Sequence, residues 1–195
     1  MNKYKDLDYS TLNGRHTFLY GETNTGKTYF TANFVKYLLE SENVNPKSIT
    51  ILEFGPKFKT VNKVKIGGHI QDFYSKSLLC VNIDTKADII PPRLNARTKA
   101  ELFDNICYNY KKTSKMLSDF NEKPTPYLII NDISIYLHLG NTGELLKAIY
   151  KSNTFLGNSY YGNSLMTRES KLLSLLEKNK IDFLIKNVEF SIFSG

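Results

Sequence analysis

The chain has 195 residues, 41% of them hydrophobic and 13% aromatic, which supplies enough core to exclude disorder and fits one α/β domain. Its 26 basic and 19 acidic residues give a net charge of +7, which permits contact with nucleic acid without establishing it. Two cysteines, Cys80 and Cys107, exclude a disulfide framework and a CxxC metal pair, and the absence of a long apolar run points to a soluble, cytoplasmic protein with no membrane span.

The predicted elements alternate between strand and helix. A short apolar run, His16 to Tyr20, precedes a glycine-rich turn and a helix reaching Glu40, in which Phe30, Phe34, Val35, Leu38 and Leu39 recur at helical spacing. Ser48 to Phe54 is rich in β-branched residues and bounded by Pro46 and Gly55, so it reads as a strand. Residues 55–96, with Pro56, Gly67-Gly68 and Pro91-Pro92, form an irregular insertion or lid, and lysine alternation over 57–65 suggests a half-exposed strand or hairpin there. Thr98 and Glu101 have capping-box spacing before a helix whose inward face carries Phe103, Ile106, Cys107, Tyr110 and Leu117. Pro124 and Pro126 stop it, and Tyr127 to Ile133 is a near-continuous apolar run, the pattern of a strand buried on both faces. A helix near 143–151, a strand at 153–159, a helix at 168–179 and a strand at 182–187 complete the order. Such alternation predicts a single domain over 1–195: a three-layer α/β sandwich with a mainly parallel central sheet, whose strand ends share one ligand-binding edge.

The strongest motif is Gly21-Glu22-Thr23-Asn24-Thr25-Gly26-Lys27-Thr28, a gapless G-x-x-x-x-G-K-[ST] between a strand and an amphipathic helix. Glycines at both ends let successive amides turn into one concavity, and the helix that follows directs its positive dipole end at the same point. Lys27 then reaches the β- and γ-phosphates of ATP, and the Thr28 hydroxyl ligates Mg²⁺. Asp132, after the strand LIIN, stands where a Walker B aspartate would hold the metal through water. Ile133 follows it, so the paired acidic residues of many ATPases are absent. Glu53, at the end of its own strand, is the expected activator of the attacking water, with Glu22 a weaker competitor. Asn158 and Ser159 close the run TFLGNS, where side chains can read a γ-phosphate, and Asn131 could do similar work. Arg93, Arg97 and Arg168 are available as a charge-stabilising finger.

Two other patterns are decoys. Asn179-Lys180-Ile181-Asp182 spells the guanine-specificity motif of GTPases, but it follows an amphipathic helix carrying Leu172, Leu173, Leu175 and Leu176, and no DxxG lies at Asp132. His16, His69 and His138 have no metal-ligand spacing.

GETNTGKT, the strand ending at Glu53, and LIIND together resemble the RecA/KaiC-like side of the P-loop ATPases. The chain is also similar, over most of its length, to a family of small archaeal P-loop proteins. In these, segments like Glu53 to Pro56, Ile66 to Gly68, Pro92 to Leu94, Ile130 to Gly140 and Asn158 to Gly162 follow the phosphate loop. The resemblance implies a nucleotide-binding domain and, through RecA/KaiC-like proteins, a glutamate at the end of the strand beside the phosphate-loop strand.

The leading expectation is thus a Mg²⁺-dependent ATPase that couples nucleotide state to a partner or a homo-oligomer. Alternatives are a nucleic-acid motor or genome-packaging ATPase, motivated by charge; a nucleotide kinase, which the scarcity of arginine disfavours; and a nucleotide sensor without turnover.

Overall fold

The computed structural model describes residues 7–61, 64–83 and 88–195. Residues 1–6 of the opening segment, and 62–63 and 84–87 of the expected insertion, lie outside the described residues.

Six strands form one all-parallel sheet: β1 (His16–Gly21), β2 (Ile49–Glu53), β5 (Val81–Ile83), β6 (Tyr127–Asn131), β7 (Thr154–Tyr160) and β8 (Phe190–Phe193). Their spatial order is β5-β2-β6-β7-β1-β8. β3 (Lys59–Val61) and β4 (Val64–Ile66) pair separately as the antiparallel hairpin that the lysine alternation suggested. The central strands β6 and β7 are buried almost throughout, as strands covered on both faces must be.

Helices cover both faces, giving three layers. Helix α1 (Lys27–Glu40) packs Phe30, Phe34, Val35 and Leu38 against one face, with the short α2 (Ile70–Phe73) beside it. The other face takes α4 (Lys99–Glu122), α5 (Ile133–Leu137), α6 (Thr142–Tyr150) and α7 (Lys171–Asn187), built around Phe18, Leu128, Ile130, Phe155 and Tyr136. A one-turn helix, α3 (Pro92–Asn95), leads into α4. Among the described residues no helix is long and apolar enough to cross a membrane.

Three expectations are corrected. The stretch 182–187 is not a strand: α7 continues through it to Asn187, burying Ser174, Glu177, Ile181 and Leu184 while Leu172, Leu175 and Leu176 face outward. In α4 the inward residue of the first turn is Leu102, and Phe103 is exposed. The capping box is also only half formed: Thr98 Oγ1 accepts from Glu101 N, but the Glu101 carboxylate accepts from Arg97 N rather than from the cap residue.

Parallel pairing puts the carboxyl ends of the strands on one edge. In register along it stand Gly21 opposite Tyr160, and Glu53 opposite Asn131. The strand ending in Glu53 is not beside β1, because β6 and β7 intervene. The placement carried over from the RecA/KaiC resemblance is therefore overturned, since strand adjacency is decided by long-range packing and not by local sequence.

Candidate functional site

The turn between β1 and α1 begins with Gly21 at φ 153° and ends with Gly26 at φ 84°, a left-handed conformation that glycine adopts without Cβ strain. Gly26 is the N-cap of α1 and brings no capping side chain, so the N–H groups of the first helical turn face the loop without one. The Lys27 ammonium curls into the loop. It donates to the carbonyl oxygens of Gly21, at 3.0 Å, and Glu22, and to Thr25 Oγ1 at 3.2 Å. Burial pulls its pKa down to about 8, although Asp132 and Glu22 favour the charged form.

A cavity of about 350 Å³ opens over this loop. Thr23 to Thr28, Asn131, Asp132 and Asn158 line its polar side, so the structure brings together most of the residues the motif singles out. Glu22 stands apart. Its carboxylate accepts from the backbone of Asn163 at 2.6 Å and of Ser164 at 3.2 Å, and from the Ser164 hydroxyl, so it pins the segment after β7 against the loop.

Asn131 is the centre of the polar network. Its Nδ2 donates to Glu53 Oε2 at 2.7 Å and to Gly68 O at 2.9 Å. Its Oδ1 accepts from the Thr28 hydroxyl at 3.2 Å and from Asn158 Nδ2 at 2.9 Å. Both ends of the carboxamide are thus fully used, which fixes its orientation. Sequence reasoning noticed Asn131 only as a secondary reader of phosphate, because a neutral side chain at a strand end carries no motif.

Asp132 follows with φ 58°, a left-handed conformation that a non-glycine residue holds only when its surroundings demand it. The turn takes the chain from β6 into α5 and presents the carboxylate to the cavity, where it is the one acidic side chain among the described lining residues. Ser134 Oγ donates to Asp132 Oδ1 at 2.6 Å, and Asn158 Oδ1 accepts from the Asp132 backbone at 3.1 Å. Burial pushes its pKa above the usual carboxylate range, with Ser134 and Lys27 pulling it back and Glu177 reinforcing the rise. Gly55 packs behind it; a Cβ there would come within 3.2 Å of Asp132 Cβ.

Glu53 does not line the cavity. Its Oε1 accepts from Ile70 N at 2.6 Å and its Oε2 from Asn131, so both oxygens hold structure in place rather than water. Glu53→Gln is therefore expected to act through misfit. One of the two acceptor contacts becomes donor against donor, and Asn131 cannot flip to relieve it without losing Thr28 and Asn158. A fall in folding stability of about 1–3 kcal/mol, measured by denaturant titration, is the expected result. Unchanged stability together with a hundredfold slower turnover would return Glu53 to the catalytic role.

Of the arginines, Arg93 reaches the site. It is buried, lines the cavity, and pairs with Glu177, with its guanidinium 5.6 Å from the centroid of the Tyr160 ring. The run Asn179 to Asp182 lies in the middle of α7, where Ile181 is core, Lys180 binds the carbonyls of Leu137 and Gly140, and Asp182 accepts from Tyr161. It cannot read a base there. Among the described residues no group of three or more His, Cys, Asp or Glu side chains could hold a metal by itself. A divalent ion at this site would need oxygens of a ligand as well, as Mg²⁺ on phosphates does. No family model matches the chain, and no curated protein matches it.

Proposed function

We propose that the protein binds a Mg²⁺–nucleoside triphosphate, ATP being the expected one, and hydrolyses it to the diphosphate and orthophosphate. The observation that carries this reading is the Lys27 ammonium drawn into a concavity of carbonyls and helix N–H groups. There it is desolvated, at the point a polyphosphate would fill. The strand order supports the reading too. β7 separates the loop strand from β6 and carries Asn158, which lines the cavity together with Lys27 and Asp132. This is an arrangement that a P-loop ATPase of RecA-like type would use.

Thr28 and, through water, Asp132 are the residues that would hold Mg²⁺, together with oxygens of the bound phosphates. Bound there, the ion would supply neutralisation of the charge on the phosphate oxygens. Lys27 grips those oxygens from the loop, and Asn158 faces the terminal phosphate. Asp132, its proton affinity raised by burial, takes the proton of the attacking water. Water oxygen bonds to the γ-phosphorus, the bridging P–O bond breaks, and the diphosphate leaves with the electron pair. Asn131 also ties this centre to the Gly68 carbonyl, which gives a route by which nucleotide state reaches the 55–96 segment and through it a partner or second copy.

Calorimetric titration with Mg-ATP, alongside a phosphate-release assay with and without DNA, tests the reading; no saturable binding would end it. The pH dependence is a sharper check. An anion in the loop favours charged Lys27, so its pKa rises on binding from about 8. The free protein binds fewer protons than the complex in the window above that value. Affinity is therefore expected to hold below about pH 7 and fall as pH rises past about 8, with proton uptake on binding at about pH 9 in buffers of different ionisation enthalpy.

A further inference from the structure

The polar half of the cavity accounts for a polyphosphate; the other half does not. It is walled by Pro56, Phe58, Phe73, Pro91, Pro92 and Leu94, contributed by segments that follow β2 and β5. Phe58, Phe73 and Leu94 are 49%, 43% and 37% exposed, so large apolar side chains stand open at one mouth instead of in the core. Attack by water has no use for such a wall.

Arg93 lines the same cavity, its side chain only 6% exposed. A guanidinium has five donors. Glu177 takes one nitrogen, Ser174 Oγ is 3.4 Å from the same nitrogen, His138 approaches Nη1 at 3.5 Å, and Nε has no partner. His138 Nδ1 and Glu177 Oε1 are buried without partners as well. A buried charge this poorly satisfied is costly, and groups left so in a native structure ask for the partner that completes them. The cluster and Lys27 both lie near enough to Asp132 for its carboxylate to feel them.

We infer that the outer half of the cavity is a second ligand site, for a small organic anion: one phosphate or carboxylate group taken by Arg93, and a flat apolar body held between Phe58, Phe73 and Leu94. Arginine suits the anion because its planar fork meets two oxygens at once, and the Tyr160 ring keeps that fork in place. Aromatic and proline walls without polar side chains hold a ring by its faces. The apolar wall and the phosphate-side residues line one cavity, and the two ligands are proposed to occupy its two halves together. The inference rests on the cavity and Arg93, and needs only the cradle, not turnover.

Phenyl phosphate is the probe, titrated by calorimetry into the full chain alone and into the chain saturated with Mg-tripolyphosphate. One equivalent is expected to bind in both cases. Arg93→Lys is expected to weaken phenyl phosphate about tenfold while leaving tripolyphosphate affinity unchanged. Phe58→Ala, at an exposed position that does not threaten folding, is expected to weaken phenyl phosphate about fivefold and leave inorganic phosphate unaffected. Displacement of phenyl phosphate by tripolyphosphate would overturn the inference, as would indifference to both substitutions or no binding at all. Tripolyphosphate failing to bind while phenyl phosphate binds and responds to both variants would sink the triphosphate reading and leave this one standing.

Discussion

Replacing Lys27 with methionine is expected to weaken Mg-ATP binding at least a hundredfold while leaving the fold of the ligand-free protein intact. The size follows from the site. Within a low-dielectric loop a charge-assisted bond from ammonium to phosphate contributes about 3 kcal/mol or more, and a hundredfold change corresponds to about 2.7 kcal/mol. Stability should move little because opposing effects accompany the loss. The Lys27 charge is desolvated enough to bring its pKa to about 8, so its removal lifts a cost of folding. Its bonds to the Gly21 and Glu22 carbonyls disappear, which takes back part of that gain. Methionine retains the length and the apolar stem. Calorimetry with Mg-ATP, paired with thermal melting of the free variant, reads both halves. Unaltered affinity would mean that the loop is a helix start and nothing more.

The turn between β1 and α1 was legible because its geometry is local: Gly26 turns left-handed, Lys27 follows it as the first helical residue, and both features fall on consecutive residues. The parallel sheet was legible for a similar reason, since strands such as Leu128 to Ile130 carry their double-sided burial in composition. Strand order has no such local mark, and the misplacement of β2 beside β1 came from there. The end of α7 misled in another way. The expected strand at 182–187 holds the apolar run Phe183-Leu184-Ile185, which passes for a short strand, but Ser174, Glu177, Ile181 and Leu184 keep helical spacing, and small or charged residues at two of those positions hide it. The buried cluster of Arg93, His138 and Glu177 was out of reach altogether, since its members lie 45 and 84 residues from Arg93 along the chain. Asn131 was noticed but ranked low, and the structure makes it the residue through which Thr28, Asn158, Glu53 and Gly68 are joined.

That network divides the roles of the two residues closing β6. The Thr28 hydroxyl donates to Asn131 Oδ1 and not to Asp132, so its neighbour is a neutral carboxamide, and Asp132, the one carboxylate among the described lining residues, accepts at Oδ1 from Ser134. A group that only completed a metal shell would gain from a low pKa; burial instead drives this one up, which suits a proton acceptor.

Asp132→Asn is accordingly expected to slow phosphate release by about 10²–10⁴-fold, the usual worth of a positioned general base, while Mg-ATP still binds. The variant should fold at least as well as the parent. Asparagine is at home at φ 58°, its Oδ1 can still accept from Ser134, and the substitution removes a buried carboxylate. The sign of the last effect is fixed by linkage. A carboxyl whose pKa is higher folded than unfolded takes up protons on folding, so it detracts from stability as pH rises from the unfolded value, 3.8, through the folded one. Neutral asparagine escapes that loss, and the difference in melting temperature should favour the variant near neutrality and vanish in acid. Single-turnover phosphate release, Mg²⁺-dependent binding and melting across pH together separate the two roles open to Asp132. Loss of Mg²⁺-dependent affinity with turnover preserved at saturation would make it a metal-side residue, whereas slow chemistry at unchanged affinity makes it the base.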